Sequence, residues 1–535
     1  MNHITALKGY SRISIHRNIG TCFRNHLGNV ACRSVSSQAT IDADPKLADE
    51  FRNAKPFSSI PYAGSKSWVL NVLEIFFTKG GFHKSFYKLQ ENAHRDYGPI
   101  AKRVFVRQQE HVWLFDPEDV ATVFRADSKY PRRFDVPLID NFYARRSKEP
   151  GVFFLNGEKW HKHKSLMSKK MLRPLEVNQY IPRINCIASE MVERISKVRD
   201  SNTFEVDEID MELFKWSFET VADFLFDRRF YALSDSPPER ATNFIKAVGR
   251  FLDSISVASF TPPRFYKYYK TKAFKDFDHN FMLLYKFAEE LIEEKLSDIA
   301  KRRERGEDID TRNELIPFLL SSDRISEDEV GSSIVDTLFA GVDTTSNTMQ
   351  WMLYLIAKNP HAQSRIREEI SRVLPQGQEP TAESLQQLSL VKAAVKETLR
   401  LYPVLILTSR VLEHDVVLSG YHVPANTKLT FMHHAMGRSE DYFENAKEFV
   451  PERWLRMESA TKHSAYASIP FGHGVRMCLG RRLAELELQI LLIKILNRYT
   501  LEIPPGHVVD NYFRGVNIPD KPIRVKFVER KIEQR

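Results

Sequence analysis

Cys478 stands in the run Phe471-Gly472-His473-Gly474-Val475-Arg476-Met477-Cys478-Leu479-Gly480. It is one of four cysteines in 535 residues, a usage that argues against a disulfide framework and for a reducing compartment, where a special cysteine works as a thiolate. Cys186 has no such setting and reads as a small buried hydrophobe. A second group, Ala340-Gly341-Val342-Asp343-Thr344-Thr345, sets one acid and two hydroxyls behind a glycine. In a third, Glu397-Thr398-Leu399-Arg400, the acid and the arginine share one helix edge at i and i+3. Arg453, in Pro451-Glu452-Arg453-Trp454, could close a charge-compensated network with them. Alone, the same spacing is equally an ordinary surface pair.

The acid and hydroxyls lie in the best-delimited helix of the chain. Ser326 and Glu329 make a capping-box pattern at its start, and Asn359-Pro360 stops it. These 30-odd residues would span roughly 50 Å at 1.5 Å each, enough to cross a whole domain. Gly costs about 1 kcal/mol relative to Ala inside a helix, and threonine hydroxyls compete for backbone carbonyls. A helix weakened at its centre in this way faces a ligand, or else Gly341 marks a tight helix crossing with Asp343 capped locally. From Leu155 to about Leu401 the apolar spacing is mostly helical, and β-like runs occur at Ile100 to Val106, Val112 to Phe115 and between Leu405 and Thr430. The pattern predicts a mainly α fold with small β-sheets and one large domain.

Apolar residues make up 42% and charged residues 27% of the chain, which excludes disordered and fibrous classes. No apolar run approaches the length of a membrane span; the nearest, Trp68 to Phe77, is broken by Asn71 and Glu74. The first 40 residues carry Lys8, Arg12, Arg17, Arg24 and Arg33, several serines and no acid, the composition of a mitochondrial transit peptide. Without them 73 basic face 69 acidic side chains, a net charge of +4 instead of +9. Cys22 and Cys32 would leave with this segment. The expected boundaries are a transit peptide over 1–40, a linker over 41–55, one catalytic domain over 56–527 and a tail over 528–535.

The Cys478 run matches the cytochrome P450 signature F-x-x-G-x-R-x-C-x-G at every fixed position, and the chain resembles that family from about Pro56 to Phe527. The resemblance implies haem b sandwiched between the long central helix and the cysteine loop, with Cys478 as axial thiolate ligand of the iron. Phe471, Gly474 and Gly480 would shape the loop and Arg476 would meet a haem propionate. Trp160 and Lys164 fall where the family has W-x-x-x-R, and lysine can pair a carboxylate there without forming a bidentate fork. Arg410 resembles another propionate-binding position, with a solvated strand arginine as the alternative. Glu397, Arg400 and Arg453 resemble the family's structural Glu-Arg-Arg triad. Asp343 and Thr344 resemble its oxygen-activation pair, in which Thr344 holds a water and Asp343 feeds protons; Thr345 is the weaker candidate.

Three features resemble the mitochondrial branch: the transit-like start, the missing N-terminal membrane helix and the run Cys478 to Glu487. That branch takes electrons from an acidic 2Fe-2S, adrenodoxin-like ferredoxin, reduced in turn by NADPH-ferredoxin reductase. Lys392 and Lys396 match its docking pair. The implied activity is insertion of one oxygen atom of O2 into a lipophilic substrate, a sterol, steroid, secosteroid or xenobiotic. A microsomal-type monooxygenase fed by a flavoprotein reductase, and a haem-thiolate isomerase or haem carrier, are the alternatives. Arg264 to Phe277 interleaves six aromatic residues with cations and suggests peripheral membrane contact at the matrix face of the inner membrane, with no nucleic-acid role.

Overall fold

The long helix begins and ends where its sequence signals lie. Ser326 Oγ accepts from the Glu329 N–H at 3.3 Å and a Glu329 carboxylate oxygen accepts from the Ser326 N–H at 2.7 Å, closing the capping box. Glu327–Lys358, the central helix, then runs to the Asn359-Pro360 stop. The computed structural model describes residues 45–77, 81–105, 109–259, 265–266, 268–307, 314–375, 378–455 and 465–530, all within one compact unit.

Every residue of the central helix from Thr345 to Ala357 is buried, so other elements enclose it on all sides there. One turn earlier the enclosure opens. Thr337, Ala340, Gly341 and Thr344 are only partly buried, and their spacing places them on a single stripe of a 3.6-residue helix. The weak centre shows as hydroxyl back-bonding within a continuous helix. Thr344 Oγ1 donates to Ala340 O, Ser346 Oγ to Val342 O and Thr348 Oγ1 to Thr344 O, each at 2.8 Å.

Gly341 sets how closely the neighbouring helix approaches. A Cβ at this position would lie 2.9 Å from a methyl of Val221 on helix Ile209–Phe226. The tight crossing therefore exists at Gly341, and the partly open stripe lies beside it.

Ten short strands form four sheets among the described residues. The largest has the order Ile100–Phe105, Gln109–Leu114, Lys428–Phe431, Thr408–Val411. Its middle pair is parallel and the outer pairs antiparallel. A parallel pairing needs a crossover, and here the crossover is the whole helical body of the chain. Val416–Leu418 and Tyr421–Val423 make a separate hairpin, so the β-like stretch from Leu405 to Thr430 resolves into four strands. The expected run at Val112 begins earlier, at Gln109, and Val106 lies outside the described residues. The architecture is mainly α with small sheets.

Four expectations need correction. The stretch expected as a linker contains helix Pro45–Asn53, and Lys55 pairs through its backbone with Gly420 and His422. The expected tail begins too early, because Lys526–Glu529 pairs with Tyr499–Glu502. Cys186 is exposed: helix Ile181–Val198 buries Ile184, Ile187, Ala188 and Met191, which turns position 186 outward. Of the basic-aromatic segment, Tyr266, Phe274 and Phe277 face the core, whereas Phe265, Tyr268 and Tyr269 are exposed. Arg264 and Lys267 lie outside the described residues, as does the proposed transit peptide.

The Gly341 contact generates a test. Gly341→Val should cost about 1–3 kcal/mol by overpacking and lower the apparent melting temperature of the purified protein. Adding Val221→Ala should restore part of that loss, whereas Val221→Ala alone should destabilise.

Candidate active site

The cysteine loop is shaped by its own backbone. Gly472 and Gly474 have φ of +70° and +68°, which other residues adopt only under strain. Gly474–Arg476 forms one 3-10 turn, and the Cys478 N–H donates to Phe471 O at 2.9 Å. Helix Arg481–Arg498 starts directly behind Gly480, so the first free N–H groups of the helix face the sulfur. The Cys478 side chain is exposed on the open side of the loop; the protein packed around the sulfur still pushes its thiol up, while hydrogen bonds from the Gly480 and Arg481 N–H groups and the charges of Lys164 and Arg133 pull it down.

Cations crowd this loop. Arg476 is 4% exposed, stacks 4.4 Å over the Trp160 ring and donates to Leu155 O. Its pKa is pushed down to about 8 by burial and by the nearby charges of Arg133 and Arg410. Lys164, lowered to about 8 chiefly by burial, donates to Met477 O, one residue before the cysteine. Arg410 is 3% exposed and pairs with Asp127 at 2.7 Å, which removes the solvated-arginine alternative. Arg133, lowered to about 10 by burial and then by Arg410, is the residue that sequence reasoning missed. Its only sequence signal is the Arg132-Arg133 pair. The Nε atoms of Arg133 and Arg476 are buried without a hydrogen-bond partner. Cations gathered out of water around one carboxylate, with unused donors, fit a ligand that brings anionic groups of its own.

Helix Gly157–Met171 ties this cluster to the central helix. It carries Trp160 and Lys164 toward the cysteine loop, and from the same helix His163 Nδ1 meets Ser333 Oγ at 2.7 Å and Lys162 meets Glu329 at 3.0 Å. On the central helix Thr344 lies on the partly open stripe, whereas Thr345 is 3% exposed. Asp343 is buried. Burial pushes its carboxyl up, against Arg514 and Asn347, which pull it down. Arg514 Nη2 donates to Asp343 Oδ1 at 2.8 Å and Asn347 Nδ2 to Oδ2 at 3.1 Å. The asparagine is the local cap that the sequence allowed. Arg514 comes from a distant hairpin and had no sequence signal.

Glu397, Arg400 and Arg453 meet in one hydrogen-bonded network. Glu397 is fully buried and accepts from Arg400 Nε and Nη2 at 2.8 and 2.7 Å, Arg453 Nε at 2.9 Å, Trp454 Nε1 at 2.9 Å and Val450 N at 2.9 Å. Burial alone would push this carboxyl up, but these donors hold it below the usual range. Lys392 and Lys396 lie on the same helix, Ser389–Leu401. Lys396 is exposed with its ammonium 5.8 Å from the Trp454 ring centre, and Lys392 Nζ donates to Gln386 O at 2.7 Å.

Comparison with known proteins decides the family: the cytochrome P450 model matches residues 63–527. The chain is a cytochrome P450. The cytochrome P450 27C1 of Danio rerio is 32% identical to this P450 over 504 residues, 92% of each chain. The mitochondrial 1,25-dihydroxyvitamin D(3) 24-hydroxylase of Rattus norvegicus is 31% identical, over 92% of this chain and 95% of its own. The mitochondrial cholesterol side-chain cleavage enzyme of Sus scrofa is 32% identical, over 89% and 90%. As a P450 this protein is a monooxygenase, and the family implies a haem-thiolate cofactor. The residues present fit that group: a thiol in a loop of N–H donors, and arginines with spare donors for its two carboxylates.

Removing the carboxylate of the triad should be severe. Glu397→Ala leaves Arg400 buried and unpaired, a loss of about 3–5 kcal/mol, and thermal unfolding of the purified P450 should show a large drop in stability. Arg453→Lys, which keeps the charge and loses the fork, should show a smaller one.

Proposed function

We propose that this P450 inserts one oxygen atom of O2 into a sterol- or secosteroid-sized lipophile, with electrons from NADPH delivered through ferredoxin reductase and a 2Fe-2S ferredoxin. The observation that carries the reading is the convergence of Cys478, Lys164, Arg133 and Arg476 on one loop, with an acid and an alcohol on the central helix beside a partly open stripe. Haem bound at Cys478 supplies the reductive activation of O2. Cys478 donates the sulfur, and the Gly480 and Arg481 N–H groups temper its charge. Arg133, Arg410 and Arg476 hold the propionates, with Trp160 packed under Arg476. Lys164 secures the loop through Met477 O and adds positive charge beside it.

Thr344 holds the last water of a proton path, and Asp343 is the acid that feeds it. An isomerase or haem carrier would have no use for a buried acid next to a half-open threonine, which favours the monooxygenase. The substrate class rests on the names of the relatives, two of which act on cholesterol and on a dihydroxylated vitamin D. Segments Arg132 to Val152 and Val404 to Thr408 line the substrate space. The acid-free N-terminus supports import into mitochondria. Peripheral membrane contact is supported by helix Trp68–Phe77, which exposes Val69, Leu70, Leu73 and Phe77, and by exposed Tyr268 and Tyr269. Exposed Lys396, with Lys392 one turn away, supplies the positive patch that an acidic ferredoxin would find.

Cys478→His should abolish the red-shifted Soret band that the reduced carbon monoxide complex of a haem thiolate gives; retention of the band would show that another residue ligates. Thr344→Ala should keep that band and lipophile binding but divert reducing equivalents to hydrogen peroxide, so that product per NADPH falls several-fold. Unchanged coupling would remove the central helix from proton delivery. For the electron donor, reversing both charges, Lys392→Glu with Lys396→Glu, should raise the ferredoxin concentration for half-maximal turnover at low salt. The difference should shrink as ionic strength screens the patch. Turnover with a flavoprotein reductase but not with ferredoxin would favour the microsomal-type alternative.

A further inference from the structure

Asp336 is a buried acid of the central helix that proton delivery does not use. Its side chain has no access to water, and among the described residues no cation pairs with it. The groups that pull its carboxyl down are the N–H groups of Phe153 and Phe154 and the Tyr143 hydroxyl, none of them charged, and burial outweighs them, pushing it up to about 8. At neutral pH it is an uncharged acid. Its Oδ2 accepts from the Phe153 N–H at 3.0 Å, and its Oδ1 is buried without a partner. Tyr143 and Tyr285, whose hydroxyls meet at 2.6 Å, are the titratable side chains that sense it, both raised first by burial.

The loop that carries Phe153 is shaped to reach this acid. Gly151 lies flat on the central helix: a Cβ there would overlap Ser332 O and Asp336 Oδ2 and stand 2.6 Å from Asp336 Cγ. Phe154 and Leu155 donate their N–H groups to Gly151 O at 3.2 and 3.1 Å, so the chain makes one tight turn over Asp336. That turn sends two neighbouring rings in different directions. Phe154 packs with Phe281 and Phe339 in the aromatic core. Phe153 meets Phe339 edge-on at 5.9 Å between ring centres, yet it is 39% exposed, and the Arg133 guanidinium stands 6.0 Å from its ring centre. Arg133 is one of the cations that act on Cys478, so the Phe153 ring borders the cofactor site. On the helix, Asp336 lies one turn before Ala340 of the partly open stripe.

We propose that Asp336 is a positioning residue for substrate selection: by holding the Phe153 N–H it fixes an aromatic wall between the open stripe of the central helix and the cations around Cys478, and that wall favours lipophiles with a broad ring face over small ones. This deepens the reading of a sterol- or secosteroid-sized substrate and rests on it. A ring on a loop keeps one orientation only when its backbone is tied, because ordering it costs conformational entropy. Here the tie is a hydrogen bond out of water, and removing the acceptor would leave a buried N–H unpaired. An uncharged acid makes that bond without setting a bare charge beside an apolar ligand. Phe153 supplies the contact surface, and Asp336 acts only through it.

The test uses the haem-loaded enzyme and two azoles whose ligation of the iron shifts its Soret band: imidazole, too small to need the wall, and clotrimazole, whose aryl rings must pack on it. Asp336→Leu keeps the volume and removes the acceptor; it should raise the Kd for clotrimazole several-fold and leave that for imidazole unchanged. Asp336→Asn, whose amide oxygen still accepts from Phe153, should bind both as the parent does. Phe153→Ala should weaken clotrimazole as much as Asp336→Leu, and the two together should cost no more than Phe153→Ala alone, the non-additivity of residues that act through one another. Parent-like clotrimazole binding in Asp336→Leu, a parallel loss for imidazole, or losses that add in full in the double variant each overturn the proposal. If imidazole fails to ligate the parent, the haem-thiolate reading falls and the wall with it. Should Asp336→Leu fail to fold, Gly151→Ala crowds the loop off an intact acid: it should weaken clotrimazole alone, and unchanged binding there overturns the proposal as well.

Discussion

Glu397 is the charge on which the frame around the cysteine loop depends. A carboxylate with no access to water is tolerable only when every lone pair is used and an opposite charge is close. Five donors from Arg400, Arg453, Trp454 and Val450 meet that condition. Arg400 then spends its remaining N–H groups on the carbonyls of Gly437, Ala446 and Glu448. Gly437 has no room for a side chain, since a Cβ would fall 2.6 Å from Arg400 O. One ion pair thus fixes the path of the backbone from Gly437 to Trp454, the stretch that leads toward the cysteine loop. Such a network adds little net stability over apolar packing, but breaking it in part is costly, so its value lies in specifying a single geometry.

The site has the opposite electrostatic character. Around Cys478 the cations are in excess, their pKa values are driven down by burial and by one another, and two arginine Nε atoms lack acceptors. The doubly anionic cofactor that the family implies would relieve this cost. Binding of that group and stability of the frame are thereby linked: whatever binds the folded state alone stabilises it. The central helix completes the contrast, enclosed on all sides beyond Thr345 and open along one stripe before it.

The comparison of sequence and structure separates cleanly by the range of the interactions. Capping at Ser326, the stop at Asn359-Pro360 and the i, i+3 pairing of Glu397 with Arg400 are local, and their physics is contained within a few consecutive residues. Each was legible. The exposure of Cys186 was also written in the sequence, because Ile184, Ile187, Ala188 and Met191 define the buried face of its helix and leave position 186 outside it. That was a misreading of an available signal. The helix at Pro45–Asn53 escaped notice for a different reason: it is only nine residues long, and its apolar stripe of Leu47, Ala48 and Phe51 is only partly buried.

What the sequence by itself determined was which residues are candidates for the chemistry: the cysteine loop, the acid and alcohol on one helix, and the triad of charges. Only the tertiary structure decided who their partners are. Arg133 joins Arg410 and Arg476 across some 280 to 340 positions of chain, and Arg514 meets Asp343 across 171. An arginine announces its charge in sequence but not the carboxylate it will find, because long, flexible side chains on separate elements meet only where packing has already placed the backbones.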